Sequence, residues 1–153
     1  MRSFRGKPGT EASALIRNKL MDSGGRATVY SYRGKPYEIF LSEDGTGFRC
    51  NALKPLYFYE FRVFDVVVDL LKREGGQAAK GQARGCEVGS ARCDAHTVAG
   101  AVALHYFGKT AGETVLDPQS VLNAVLAWAD IAENDRGSIR LTERYKKLIQ
   151  YHK

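Results

Sequence analysis

Cysteine is scarce. The chain of 153 residues holds three, an odd number that argues against the disulfide framework of a small secreted domain. Long apolar runs are missing too, since none approaches the ~18 to 20 residues needed to cross a membrane. The opening stretch, residues 1–10, carries Arg2, Arg5 and Lys7 but no apolar segment of a secretory signal. A cytoplasmic protein without a membrane partner is expected. No internal repeat or low-complexity tract interrupts the chain. The glycine-rich run from Gly75 to Gly85 lacks the Gly-Lys-Ser/Thr ending of a phosphate-binding loop and follows a helical pattern rather than a strand. Cysteine and histidine residues occur, but in no motif that supplies an orienting group or an oxyanion turn. The neighbouring carboxylates Glu43-Asp44 and Asp130/Glu133 fall in turn and ribbon contexts. A non-enzymatic protein without a cofactor is therefore expected.

What is present is the balance of a soluble folded protein, with 44% hydrophobic and 26% charged residues. The length suits one ordinary domain or two very small ones. A net charge of +6 suits an anionic partner such as nucleic acid, and serves solubility equally well.

Residues 1–10 read as a flexible basic arm. Glu11 to Met21 reads as a short helix with Ala14, Leu15 and Leu20 available for burial, closed by Asp22-Ser23-Gly24-Gly25. Alternating runs Ala27–Tyr32 and Tyr37–Leu41, then a third from Gly47 to Cys50, predict an antiparallel meander over a unit of residues 11–56. Its turns are Arg33-Gly34-Lys35-Pro36 and Ser42-Glu43-Asp44-Gly45. Tyr30, Tyr32, Tyr37 and Phe40 lie along it, either packing on the sheet or, where exposed, able to stack on single-stranded bases. Tyr57 to Glu74 is the most apolar segment and predicts a central helix buried on most sides, despite the β-branched run Val66-Val67-Val68. Residues 75–93 are irregular. A second helix is expected from Asp94 to Phe107, with His105 on its apolar side as a hydrogen-bonded core residue.

The last third is the most informative. Asp117 suits an N-cap and Pro118 a first helical position. Val121, Leu122, Val125, Leu126, Trp128 and Ala129 then form one apolar stripe, with Gln119, Ser120, Asn123, Ala127 and Asp130 mostly opposite. Ile131 opens an alternating run. Asn134 to Gly137 supply turn chemistry, and Ile139 and Leu141 alternate with Ser138 and Arg140. A short helix from Thr142 ends the pattern.

Residues 58–142 thus line up as helix, glycine-rich link, helix, helix, ribbon, which resembles the winged helix-turn-helix superfamily. The fold class expected is α+β: an N-terminal helix and three-stranded antiparallel meander, then a winged-helix-like unit over 57–153 ending in a β-ribbon wing. The resemblance implies that residues 118–131 enter the major groove and that the wing tip, Asn134 to Gly137, touches the backbone or minor groove. It implies a DNA-binding protein, for instance a transcriptional regulator, that works as a homodimer on double-stranded DNA. The third helix, however, contains no Lys or Arg. Gln119, Ser120 and Asn123 are its candidate DNA contacts. The cations lie around it: Arg136 and Arg140 on the wing, Arg144, Lys146 and Lys147 behind it, and Lys80, Arg84 and Arg92 in the glycine-rich link. The link of residues 108–116 also exceeds the usual ~3–4 residue turn. A winged helix so arranged equally suits a protein partner, as in an inhibitor or adaptor of a phage or mobile element, such as an anti-CRISPR-like protein. Cys86, Cys93 and His96 form a weak candidate metal set, because a fourth ligand and the usual knuckle spacing are missing.

Overall fold

Gly24-Gly25 and Gly75-Gly76 follow the first two helices, as the sequence suggests. The computed structural model describes residues 9–52, 58–81, 87–113 and 118–150, the side chain of Arg92 excepted. The basic arm through residue 8, Asp117, Cys86, Arg84 and the Arg92 side chain therefore lie outside the described residues. The protein is α+β. Helix α1 (Ala12–Asp22) buries Ala12, Ile16 and Leu20 at four-residue spacing. The expected face shifts by part of a turn, leaving Ala14 and Leu15 half-buried. Its first turn borrows a cap, since the Ser13 amide donates to the Asp65 carboxylate at 2.9 Å. Its end is closed by the Gly25 amide donating to the Leu20 carbonyl.

Strands β1 (Arg26–Tyr30), β2 (Pro36–Leu41) and β3 (Gly47–Cys50) form the expected antiparallel meander. A fourth strand corrects the expectation. Tyr59–Glu60, read as the start of the central helix, is strand β4 and pairs with β3, Phe48 opposite Tyr59. Phe48 and Tyr59 sit with ring centroids 6.1 Å apart, an aromatic pair that favours the pleated surface over a helical turn. Gly47 permits it, because a Cβ there would overlap the Tyr59 carbonyl.

Helix α2 (Arg62–Arg73) keeps its valine run helical and buries Val63, Phe64, Val67, Val68, Leu70 and Leu71. Its opposite face, with Arg62, Asp69, Lys72 and Arg73, is exposed, so it is covered on one broad side rather than on most sides. After Gly75-Gly76, Gln77–Ala79 forms strand β5 where an irregular link was expected. Tertiary pairing overrides the weak strand preference of Gln-Ala-Ala here: β5 joins β7 (Ser138–Leu141), which also pairs with β6 (Ala132–Asn134), in the order β5-β7-β6.

Helix α3 (Val98–His105) starts later than expected because Thr97 is its cap, accepting from the Gly100 amide at 3.0 Å. His105 is exposed rather than a core residue, since it falls on the outer side of a turn whose Val102 and Ala103 are buried. Helix α4 (Gln119–Trp128) follows, and α5 (Glu143–Leu148) is capped by Thr142. One continuous core runs from Ala12 to Tyr145 and crosses the boundary expected near residue 57. A small satellite core holds Val88, Cys93, Ala99 and Ala103. No helix among the described residues is long and apolar enough to cross a membrane.

Candidate nucleic-acid interface

The third helix of the expected reading unit is not a free surface. Helix α4 packs against β1, α1 and β6. Residues 121–126 are all buried as a result. Asn123, a candidate base contact, is 1% exposed, and its Nδ2 reaches only Gln119 at 3.5 Å. Gln119 is half-buried and donates to the Gly81 carbonyl at 2.8 Å. Ser120 alone of the three is exposed. An alternating polar face on a helix signals solvent only when nothing else in the chain folds over it. Here distant segments meet it: Tyr37 of β2 bonds Ser120, and the Gly81 carbonyl accepts from Gln119.

The wing cations are largely committed. Arg140 bonds Asp135 at 2.9 Å and Glu133 at 3.2 Å, and these carboxylates hold its guanidinium above the ordinary arginine value. Arg144 pairs with Asp130 at 3.3 Å and Lys146 with Glu143 at 3.1 Å. With exposed Lys147 counted, four cations meet four carboxylates, so the wing and α5, Arg136 apart, offer no net positive charge.

The remaining candidates, Lys80 and Arg136, converge with residues of the N-terminal sheet. Two turns face each other. In the β1–β2 turn, Ser31 accepts from the Gly34 amide, and its hydroxyl accepts from the Lys35 amide at 3.0 Å. Gly34 sits at φ +87°, which lets Arg33 and Lys35 occupy the tip. In the β6–β7 turn, Gly137 takes φ +73° and its carbonyl accepts from the Lys80 amide at 2.9 Å, bringing Arg136 and Lys80 together. Between the turns lies a cleft of about 610 Å³ lined by Ser31, Tyr32, Arg33, Lys35, Tyr37, Lys80, Ser120, Arg136 and Gly137.

Four of those lining residues are basic and none is acidic. None of the four takes part in an ion pair among the described residues. Lys80 Nζ lies 5.2 Å from the Tyr32 ring centroid and Lys35 Nζ 5.9 Å from that of Tyr37. Burial holds the Lys80 ammonium below the ordinary lysine value, partly offset by the charge of Asp135. Tyr37 is 7% exposed, and its hydroxyl pairs with Ser120 Oγ at 2.8 Å to form the floor. Tyr32, by contrast, is 52% exposed. The arrangement presents charge, hydroxyls and an aromatic face to an anionic ligand.

Arg33 and Lys35 were absent from the sequence-derived site. Their signal is the Tyr32-Arg33-Gly34-Lys35-Pro36-Tyr37 stretch, which mixes cations and aromatics on one turn. Of the metal candidates, Cys86 lies outside the described residues, and Cys93 and His96 have different surroundings. His96 is exposed, with Nδ1 at 2.8 Å from the Glu74 carboxylate, while Cys93 is fully buried in the satellite core. Among the described residues no group of three His, Cys, Asp or Glu side chains is placed to hold a metal ion. No family model matches this chain, and neither a curated protein nor a solved structure shows significant similarity to it.

Proposed function

We propose that this protein binds nucleic acid through the cationic cleft between the β1–β2 and β6–β7 turns, rather than by inserting α4 into a groove. The observation that carries the reading is the meeting of Arg33, Lys35, Lys80 and Arg136 in one concavity with no carboxylate among its lining residues. Phosphate neutralisation supplies most nucleic-acid affinity, and such contacts position a partner without reading its sequence. The succession of α2, α3, α4 and the β6–β7 ribbon supports a winged-helix reading of residues 58–142, with β5 as a third strand. In this reading the wing turn supplies Arg136, and the buried α4 is scaffold. A homodimer was expected because paired helices would read paired half-sites. With α4 covered, that reason falls away.

Fluorescence anisotropy with labelled oligonucleotides across a salt series tests the reading. Four phosphate contacts predict that log K falls with log salt at a slope of about −3 for a single strand and about −3.6 for a duplex. Absence of binding, or binding indifferent to salt, rejects it. If polyglutamate binds where every oligonucleotide fails, the protein-partner reading takes its place.

A further inference from the structure

Cations alone do not distinguish a duplex from a single strand, but this cleft carries more than cations. Its volume of about 610 Å³ falls in the ~300–1,000 Å³ range of sites that enclose one small ligand. It lies between two turn tips, so it admits a group that protrudes from a strand. A duplex keeps its bases stacked inside a convex rod. An unpaired nucleotide exposes both a base face and its flanking phosphates.

The lining has a counterpart for each part of such a nucleotide. Tyr32 is more than half exposed and lies in the cleft wall, next to the exposed Tyr30 segment that leads out of β1. Lys80 stands over one face of its ring, so with the ring more than half exposed the base takes the opposite face. Aromatic side chains that hold single-stranded bases do so through such exposed faces, with neighbouring cations tracking the backbone. The buried position of residues 121–126 points the same way, because α4 has no accessible row of side chains for the major groove.

Resting on the nucleic-acid reading above, we infer that the cleft takes one unpaired nucleotide of a single-stranded nucleic acid. Its base stacks on Tyr32, and phosphates of the strand on either side of it lie on Arg33, Lys35, Lys80 and Arg136.

The test uses the full chain and three labelled probes at one salt concentration: oligothymidylate, oligouridylate, and the duplex of oligothymidylate with oligoadenylate. Either single strand should bind about tenfold or more tightly than the duplex, and the two single strands together show whether DNA or RNA is held. Tyr32→Ala should weaken single-strand binding by roughly 5- to 150-fold, the worth of one base–aromatic stack, while Tyr32→Phe stays within about twofold. Thermal unfolding of both variants checks that the exposed position tolerates the change. Equal binding of duplex and single strand overturns the inference, as does a Tyr32→Ala variant that binds like wild type. In either case, loss of binding in the Arg33→Gln/Lys35→Gln/Arg136→Gln variant shows that the cleft still holds nucleic acid. Failure of the wild type to bind any probe instead rejects the underlying reading.

Discussion

Arg33, Lys35 and Arg136 can be neutralised together, and the protein offers its own control for the experiment. Replacing all three by glutamine removes three positive charges from a chain of net charge +6. So does replacing Arg140, Arg144 and Lys146. The first set lines the cleft without ion-pair partners among the described residues, whereas the second is held by Asp135, Glu133, Asp130 and Glu143. If whole-molecule charge governs attraction, the two variants lose affinity equally. If the cleft governs it, only the first does. A unit-charge pair about 4 Å apart in water is worth about 1 kcal/mol, so three contacts amount to about 3 kcal/mol, or on the order of 100-fold in Kd. The salt slope should drop from about −3 to about −1 as three of four phosphate contacts vanish. The wing variant should keep the wild-type slope and lose far less affinity than the cleft variant, since its cations lie outside the cleft lining. Anisotropy titrations at four or more salt concentrations measure both quantities. Parallel losses in the two variants, or an unchanged slope in the cleft variant, refute the assignment of binding to this cleft.

Two further outcomes concern the frame that holds the cleft. Gly100→Ala should cost about 1–3 kcal/mol or more, because the new Cβ would overlap the Asp94 carbonyl and lie 2.8 Å from the Cys93 carbonyl oxygen. Urea unfolding reads this directly, and an unchanged midpoint would mean that the segment before α3 yields freely. His96 holds its proton above the ordinary value of 6.5, first because Glu74 accepts its hydrogen bond and then through that carboxylate's charge. A raised folded-state pKa stabilises fully below the unfolded value, and the effect is lost as pH rises through the folded one. Wild type should therefore exceed His96→Gln in stability most clearly in mildly acidic buffer, with the gap closing as pH rises. A gap that widens toward alkaline pH contradicts the assignment.

What could be read from the chain was what neighbours in sequence decide. Gly24-Gly25 and Gly75-Gly76 end helices because their positive φ angles are a local requirement. The ribbon from Ala132 to Leu141 is likewise marked by its own alternation and its Asn-Asp-Arg-Gly turn. What escaped depended on distant partners. Strand β4 exists because β3 offers it an edge, and β5 because β7 does. Asn123 has a polar side chain at a position that periodicity assigns to solvent, yet α4 is covered by β1. The candidate site was half legible for the same reason. Lys80 in the glycine-rich link and Arg136 on the wing stood out as cations around the third helix, while Arg33 and Lys35 looked like an ordinary hairpin turn until folding set that turn against them.

The cleft walls come from the β1–β2 turn, Lys80, Ser120 and the β6–β7 turn, so its occupant would touch early and late parts of the polypeptide at once. A molecule held there acts as a clasp across the common core, tying the early hairpin to the late one. Occupancy and global folding are thereby linked by mass action, and saturation at about 100 times Kd adds about 2.7 kcal/mol to the folded state. The same linkage makes heat resistance a reporter for ligands: compounds that fit should raise the melting temperature of the entire chain, not of one half.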